Sequence, residues 1–461
     1  MNLLDYETRE GDDIDGRMIY EDRVITFIPD LLFDNHKVYR ITIEDSVSDL
    51  AGNQIENTFF SWFITNPMFT MENDRLQSSV RMGAFGAVGD IDNDGDVDIV
   101  ISNADLQENR GTREGPVEVF INDGLGFFSD ETDAWLGDNT IVAATRGMVL
   151  VDVNLDNYLD VILATESLHS PPWTDYKDLL LINQGGEGFV DETAERLPYG
   201  PVYSHGLCVG DVNSDGAPDI FFNDAHRLLI NDGDGFFGSR RYLIPPSNIP
   251  SLDCKFADFD LDGDSDLIIS TNLGYRYNRL FLNDGTGRFT IAPIDTIPQK
   301  INGDDYEALA MEIVDLNVDG YPDVVIANFF DPYTGAEWEP RVNQLLINNG
   351  DGTFRDDTER GFIQSDDGGI QFDVSSGDLN GDGFTDLAFA YSFPKGGAKI
   401  YLGNGEGVLT EISNAFSDDI PAEHFSNQVL VFDMDNDGDT DLIFLGSYFE
   451  HYVYINTLND P

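Results

Sequence analysis

The sequence predicts an all-β fold, a seven-bladed β-propeller, on three observations. A nine-residue acidic motif recurs seven times, short runs of β-branched and aromatic residues flank the copies, and an Asn/Gly-rich tight turn follows each of the first six. Four predicted strands per unit of roughly 45–60 residues is the pattern of a propeller blade, and seven units lie within the usual range of about four to eight blades.

The acidic motif defines the first connection of each unit. Its copies span Asp90–Asp98, Asp152–Asp160, Asp211–Asp219, Asp258–Asp266, Asp315–Asp323, Asp378–Asp386 and Asp433–Asp441, at broadly even spacing along the chain. Each copy has a carboxylate or amide oxygen at positions 1, 3 and 5 and a carboxylate at position 9. Ca²⁺ binds about six to eight hard oxygen ligands, so the pattern predicts up to seven Ca²⁺ sites. Glycine at position 6, replaced by Asn157 in the second copy, permits a sharp turn.

Position 7 varies freely, so we expect it to contribute only its backbone carbonyl. The predicted ligands at positions 1, 3, 5, 7 and 9 are, copy by copy, Asp90, Asp92, Asp94, Asp96 and Asp98; Asp152, Asn154, Asp156, Tyr158 and Asp160; Asp211, Asn213, Asp215, Ala217 and Asp219; Asp258, Asp260, Asp262, Asp264 and Asp266; Asp315, Asn317, Asp319, Tyr321 and Asp323; Asp378, Asn380, Asp382, Phe384 and Asp386; and Asp433, Asp435, Asp437, Asp439 and Asp441.

Two other loop types fit less well. An EF-hand requires a bidentate glutamate at position 12 and a helix on each side, whereas position 12 is Ile101, Phe222 and Ile269 in the first, third and fourth copies. The flanking runs have the composition of strands. A plain hairpin turn does not require acids at positions 1, 3, 5 and 9 seven times. The loops are therefore predicted to be calcium-binding and to join two strands of a blade.

The remaining elements complete each predicted blade. The tight turns lie within 119–132, 180–193, 228–237, 280–290, 345–358 and 400–410, each between an apolar strand and a short outer strand. The seventh repeat ends after its third strand, at 451–456, whereas residues 67–73 match the fourth-strand pattern. Residues 67–73 are therefore predicted to complete the last blade, which removes an unpaired edge.

These repeats resemble FG-GAP and VCBS repeats, the family of the integrin α-chain propeller and of many bacterial secreted proteins. The resemblance extends from residue 67 to the C-terminus. It implies a seven-bladed propeller with calcium in the loop between the first two strands of each blade. The GDxDxDGxxD and NxGxGxF forms are closer to bacterial repeats than to integrins.

The N-terminal part of the chain, residues 1–66, differs in kind. It contains predicted strands at 24–29, 38–43 and 59–65, and it resembles the C-terminal part of a bacterial Ig-like domain. The predicted domains are thus 1–66, a partial Ig-like β-sandwich, and 67–461, the propeller. Because an Ig-like domain needs roughly another strand or two upstream, we expect the chain to be part of a longer protein.

Charge and cysteine content restrict the partners and the location. The net charge is −61, and seven Ca²⁺ would leave about −47, so nucleic acid and an anionic membrane are not expected as partners. No transmembrane run is visible, so membrane insertion is not expected either. Cys208 and Cys254 are interpreted first as two small buried hydrophobic residues, with a disulfide between adjacent blades as the alternative. Calcium loops of this kind favour an extracellular or cell-surface setting. No signal peptide is visible, so we expect one upstream if the chain is secreted.

Aromatic residues predict a ligand-binding face opposite the calcium loops, where the long irregular segments collect. Exposed aromatic rings suit stacking on sugars or anchoring a protein, and the alternative is that they pack the loops onto the blades. The predicted face consists of Trp135, Trp173, Tyr203, Tyr275, Tyr277, Tyr333 and Trp338. The expected partner is a glycan or an extracellular protein, bound by a monomeric propeller.

No catalytic motif is present: the sequence has no GxSxG or HExxH, and its six histidines have no ligand spacing. The leading hypothesis is a non-enzymatic, calcium-stabilised adhesion or ligand-binding module. The first alternative is an enzyme, since some polysaccharide lyases use similar propellers, with Arg146, His205 or Tyr203 acting on a uronate. The second is a purely structural segment of a larger surface protein. Arg146, His205, Glu307, Asp373 and Asn427 are expected to form a polar funnel near the axis.

Overall fold

The computed structural model describes residues 67–76, 82–104, 115–137, 142–143, 145–165, 178–198, 204–223, 226–240, 243–245, 251–270, 278–298, 307–329, 343–363, 370–392, 397–412, 415–417, 420, 426–446 and 451–458, and five strands that precede residue 67. Seven antiparallel blades follow one another along the chain; the first six each have four successive strands, and the seventh has three successive strands and one from the start of the propeller. The all-β, seven-bladed propeller predicted from the repeats is confirmed.

The strands of each blade are numbered in chain order. Blade 1 has Met82–Gly89 (β7), Asp98–Ala104 (β8), Gly115–Asn122 (β9) and Phe128–Asp130 (β10); blade 2 has Thr145–Val151 (β12), Asp160–Thr165 (β13), Leu179–Asn183 (β14) and Phe189–Asp191 (β15); blade 3 has Leu207–Gly210 (β16), Asp219–Phe222 (β17), Arg227–Asn231 (β18) and Phe237–Ser239 (β19); blade 4 has Cys254–Ala257 (β20), Asp266–Ile269 (β21), Arg279–Asn283 (β22) and Phe289–Ile291 (β23); blade 5 has Glu307–Val314 (β24), Asp323–Phe329 (β25), Gln344–Asn348 (β26) and Phe354–Asp356 (β27); blade 6 has Ile370–Gly377 (β29), Asp386–Ser392 (β30), Gly397–Gly403 (β31) and Leu409–Glu411 (β32).

Blade 7 combines both ends of the propeller. Its first three strands are Ser426–Phe432 (β33), Asp441–Gly446 (β34) and Tyr452–Asn456 (β35), and its outer strand is Phe69–Met71 (β6). β6 pairs antiparallel with β35, with Met71 opposite Tyr454 and Phe69 opposite Asn456. The strand that precedes the first repeat therefore completes the last one, as the sequence predicts.

Two short strands extend blades 1 and 6, and five further strands precede the propeller. Val142–Ala143 (β11) pairs with β9, and Phe362–Ile363 (β28) pairs in parallel with β32. The N-terminal strands are Asn2–Asp5 (β1), Gly16–Glu21 (β2), Val24–Pro29 (β3), Val38–Ile43 (β4) and Phe59–Ile64 (β5), in sheets ordered β1-β4-β5 and β2-β3. The Ig-like assignment of this part remains a prediction. Among the described residues, no helix is long and apolar enough to cross a membrane.

The core lies between neighbouring blades. Each of seven apolar clusters draws side chains from two adjacent sheets; Val100 and Val119 of blade 1, for example, pack with Val161 and Leu181 of blade 2. Both faces of a blade are covered, so every residue of a second strand such as β13 is buried. This explains why the second strands are continuous apolar runs instead of alternating ones.

Short helices follow three of the outer strands, at Thr132–Leu136 (α1), Thr193–Arg196 (α2) and Thr358–Gly361 (α3), and a 3₁₀ turn, Asn73–Arg75, follows β6. The first threonine of each helix ties it to the third strand: Val119 N–H donates to Thr132 Oγ1 over 3.0 Å, and the same bond recurs at Thr193 and Thr358. The repeated Asp-Glu/Asp-Thr sequence after the outer strand therefore marks a helix start.

The inner strands β16 and β20 are joined covalently. Cys208 and Cys254 form a disulfide, with their Cα atoms 5.7 Å apart. The first interpretation of these cysteines, as two unbonded buried residues, is therefore wrong, and the alternative is correct. Adjacent inner strands approach closely near the propeller axis, which places the two side chains within bonding distance.

Candidate metal sites

The aspartate at position 1 holds the turn of every acidic loop. In the first loop, Asp94 N–H donates to Asp90 Oδ1 over 3.1 Å and Gly95 N–H donates to Asp90 Oδ2 over 3.0 Å. The bond from position 6 recurs in all seven loops. The second loop keeps it through Asn157, at 2.7 Å from Asp152, so this substitution preserves the loop conformation.

Two positions of each loop adopt the left-handed backbone conformation. Position 6 does so through glycine or Asn157, as the sequence indicates. Position 4 does so in all seven loops, with φ between 55° and 72°, although it carries Asn93, Leu155, Ser214, Leu261, Val318, Gly381 and Asn436. The sequence gives little sign of this second position, because leucine and valine rarely adopt that conformation.

The aspartate at position 9 is fully buried in every loop. Asp98 accepts one hydrogen bond from Ile91 N–H at position 2, over 3.0 Å, and one from Asn122 N–H in the tight turn, over 2.9 Å. The same pair of bonds recurs in the other six blades. Position 9 therefore fixes the loop to the tight turn of its own blade and also lies beside the other acids.

The acidic side chains converge most closely in three of the loops. Carboxylate oxygens lie within 4.8 Å of one another in three groups: Asp90, Asp92 and Asp94; Asp258, Asp260 and Asp262; Asp433, Asp435 and Asp441. These are the three loops with aspartate at position 3. The other four have asparagine there, and its Nδ2–H donates to the position-5 aspartate over 2.7–3.2 Å. All seven loops thus gather hard oxygen donors of the kind that Ca²⁺ prefers.

Burial and like charge raise the pKa of the position-9 carboxyls. Burial is the largest cause, and the acids at positions 1, 3 and 5 add to it, whereas the two backbone N–H donors lower the pKa. The pKa is about 6 for Asp219, about 7 for Asp98, Asp160, Asp266 and Asp323, and about 8 for Asp441. Without a cation, the folded loops therefore disfavour the charged form of these groups.

A ring of asparagines connects neighbouring loops. The first asparagine of each tight turn donates through Nδ2–H to the position-2 carbonyl in the loop of the preceding blade, over 2.7–2.9 Å. These bridging asparagines are Asn122, Asn183, Asn231, Asn283, Asn348 and Asn456. Because position 2 also donates to the position-9 aspartate, a continuous set of hydrogen bonds runs from loop to loop.

Blade 6 is the exception in this ring. Gly403 occupies the place of the bridging asparagine, and a Cβ there would lie 2.1 Å from the Thr385 carbonyl oxygen. The link to the preceding loop comes from the backbone instead, since Gly407 N–H donates to the Leu316 carbonyl over 3.2 Å.

The predicted aromatic face is only partly described. Trp135 belongs to α1, is buried, and packs on Phe189 with ring centroids 5.0 Å apart. Its assignment to a ligand-binding face is therefore wrong: the helix turns its side chain into the core between blades 1 and 2. Trp173, Tyr203, Tyr275, Tyr277, Tyr333 and Trp338 lie outside the described residues.

One of the residues predicted to form an axial funnel, Asp373, has a structural role. Asp373 accepts a hydrogen bond from Val429 N–H of the next blade over 3.1 Å. Asp253 and Gln428 occupy the equivalent position and bond to Met311 and Gly86. The side chain of Glu307 lies outside the described residues. An acceptor at this position therefore ties inner strands together near the axis.

Comparison with known proteins gives one family and a set of distant structural similarities, two of which illustrate their level. The model of the FG-GAP-like repeat matches residues 90–163, 152–222, 211–269, 258–326, 315–389 and 378–444. No curated protein matches the sequence significantly. The V. cholerae biofilm matrix protein Bap1 is 11% identical, with a TM-score of 0.37, over 82% of this chain and 88% of that one. A chain of the mitotic checkpoint complex is 11% identical, with a TM-score of 0.42, over 95% and 99%. Similarities this low carry no argument about function.

Proposed function

This chain belongs to the FG-GAP-like repeat family, and we propose that it is a non-enzymatic, extracellular, calcium-stabilised binding module. The observation that carries the proposal is the repetition of one oxygen-rich loop geometry in seven blades. Positions 1, 3, 5 and 9 of each loop would hold the ion, with the position-7 carbonyl. Calcium would neutralise clustered carboxylates that otherwise repel one another. The disulfide agrees with an oxidising compartment.

Calcium would contribute to stability by mass action. Extracellular calcium modules have a Kd of about 0.1–1 mM, so about 10 mM calcium would add roughly 1.4–2.7 kcal/mol per site. Seven sites on a propeller of about 390 residues would raise Tm by roughly 10–20 °C, from a specific unfolding entropy of about 2.1 cal/mol/K per residue. The test compares thermal unfolding in calcium and in EDTA and counts bound calcium by elemental analysis. An unchanged Tm with no retained calcium would contradict the proposal.

A matched pair of variants assigns the ion to the loops. Asp319 is at position 5 of the blade 5 loop, and Asp351 is an exposed acid in the tight turn of the same blade. Asp319→Ala should lose one bound calcium per chain and lower Tm in calcium buffer. Asp351→Ala removes the same charge and should lose none. Equal calcium contents in the two variants would argue against metal binding at the loops.

We further propose that the face opposite the calcium loops binds a polar ligand, a glycan or a protein. The support is a layer of buried polar side chains at that end of the blades, each with an oxygen or nitrogen that has no hydrogen-bond partner among the described residues: Asn103, Asn223, Ser251, Asn343 and Gln371. Buried polar atoms without partners cost free energy. A hydroxyl-rich ligand would satisfy such a layer, and the predicted aromatic residues of the adjoining segments would stack on its rings.

The binding test is a broad glycan array in millimolar calcium and again in EDTA. Calcium-dependent binding to a defined glycan, weakened by Trp173→Ala or Trp338→Ala, would support the proposal. Phe127→Ala removes an exposed ring from the calcium-loop face and is the matched control. If no glycan binds in either condition, a glycan ligand is contradicted, and a protein ligand or a purely structural role is favoured.

A further inference from the structure

The calcium-loop face carries exposed apolar side chains that the fold does not require. Six of them are 45–64% exposed and form what we call the apolar arc: Leu125, Phe127, Leu155, Phe236, Leu261 and Val318. They come from blades 1 to 5, at position 4 of a loop or at the tip of a tight turn. Several equivalent positions in other blades are polar: Asn93, Ser214 and Asn436 at position 4, and Thr286 in the turn place of Leu125. Polar residues therefore suit these sites.

Three members of the arc are held in a strained conformation. Leu155, Leu261 and Val318 have φ of 58°, 58° and 55°. The left-handed region disfavours every residue with a Cβ, and valine most among these because its side chain branches there. Each residue therefore combines backbone strain with an apolar side chain in water. The loop imposes this conformation at position 4 of every blade, and asparagine, which two other blades have there, would adopt it at a lower cost.

The two phenylalanines of the arc are held in place by arginines. Arg75 lies 4.8 Å from the ring centroid of Phe127 and donates to the Leu125 carbonyl over 2.5 Å. Arg196 lies 4.6 Å from the ring of Phe236 and donates to the Asp234 carbonyl over 2.6 Å. One face of each ring is covered while the rest remains open to solvent. Pre-oriented rings lose little conformational entropy on binding, which favours contact with a partner.

The negative charge around the apolar arc indicates what kind of partner it would bind. The arc lies among the exposed turn acids Asp123, Asp232, Asp284 and Asp351, on a chain whose net charge of −61 would still be about −47 with seven Ca²⁺ bound. This field repels anionic lipid and a second copy of the chain, and it attracts cations. We propose that the calcium-loop face of blades 1 to 5 docks a protein segment with apolar and basic residues on one surface. This goes beyond the proposed function, which concerns the opposite face.

The test uses an arc variant with unchanged charge: Leu125→Thr, Leu155→Asn, Leu261→Asn and Val318→Asn together. Every substitution copies a residue that another blade has at that place, and three of them relieve strain, so the variant should fold at least as stably. The control variant, Val190→Thr with Ile291→Thr, removes two exposed apolar side chains from outer strands. Both variants are compared with the unaltered chain in calcium buffer at physiological salt.

The probe is a fluorescent amphipathic helical peptide of about 18 residues with leucine on one face and lysine on the other. A shuffled peptide of the same composition reports binding by charge alone. We expect the arc variant to bind the amphipathic peptide at least tenfold more weakly, and the control variant to bind it as the unaltered chain does. Equal affinity for the two peptides, or equal losses in the two variants, would overturn the proposal. So would arc-dependent binding to phosphatidylserine vesicles, or arc-dependent dimerisation in sedimentation, without peptide binding.

Discussion

Replacing one bridging asparagine tests whether the ring of hydrogen bonds contributes to stability. Asn231 is 2% exposed, and its Nδ2 donates to the carbonyls of Val153 over 2.8 Å and Pro218 over 3.1 Å. Its Oδ1 accepts from Gly233 N–H over 3.0 Å and Gly235 N–H over 3.1 Å. Asn231→Ala removes all four bonds and leaves buried carbonyls without these donors.

The expected loss follows from the number of bonds. A net contribution of about 0.5–1.5 kcal/mol for each bond, with part of it recovered by water at the turn, gives a fall of roughly 2–4 kcal/mol in the free energy of unfolding. For a propeller of about 390 residues this corresponds to a fall in Tm of roughly 2–5 °C. Thermal unfolding followed by circular dichroism at fixed calcium measures it.

The control is an asparagine in an equivalent turn that does not bridge blades. Asn349 is exposed, and its Nδ2 donates only within its own turn, to Thr353 Oγ1 over 3.0 Å. Asn349→Ala should change the free energy of unfolding by no more than about 0.5 kcal/mol. Equal losses in the free energy of unfolding would mean that the hydrogen bonds between blades add no stability beyond that of the turn itself.

Three other perturbations have defined outcomes. Raising the pH from 5 to 8 in EDTA should lower Tm, because the position-9 carboxyls have folded pKa values of about 6 to 8, above their ordinary range, and the stability that protonation provides is lost as they ionise; in calcium, which requires the ionised form, the gain over EDTA should grow with pH. Arg227→Leu should lower the free energy of unfolding by about 3–5 kcal/mol, since it leaves the buried carboxylate of Asp178 without its ion pair, and Asp178→Asn in the same chain should recover part of the loss in Tm. Gly403→Asn, which would supply the missing bridging residue, should lower Tm, because the Cβ meets the Thr385 carbonyl; a gain would show that this strand can shift.

The periodic parts of the molecule could be predicted because they depend on local residues. The acidic loops, the apolar second strands and the tight turns each use residues adjacent in sequence, so seven aligned copies of the first two and six of the turns define them. The fourth strand of blade 7 was also accessible, because residues 67–73 match an element missing from the last repeat. Contacts between blades could not be predicted from the sequence. Asn183 in its turn indicates only a turn, and its partner, the Ile91 carbonyl, is 92 residues away.

Single residues without a repeating partner gave the errors. Trp135 follows a Thr132 that begins a short helix, and the helix directs the ring inward; the sequence shows an aromatic residue beside an irregular segment and therefore suggests exposure. Cys208 and Cys254 are 46 residues apart, on inner strands whose separation depends on how blades are arranged around the axis. Position 4 of the loops was missed for a related reason, because its leucines and valine conceal a conformation that glycine would have indicated.

Closure of the propeller rests on a short segment with an unusually apolar environment. β6 has only three residues, and pairing of that length adds little by itself. Phe69 is fully buried, its N–H donates to the Ala415 carbonyl over 2.9 Å, and its ring lies 5.6 Å from that of Phe416. Met68 beside it is also fully buried, and each such side chain contributes about 1.5–3 kcal/mol. β6 is thus held by blade 7 and by the segment that leads into that blade. Buried side chains therefore close the ring where the paired strands β6 and β35 come from opposite ends of the propeller sequence.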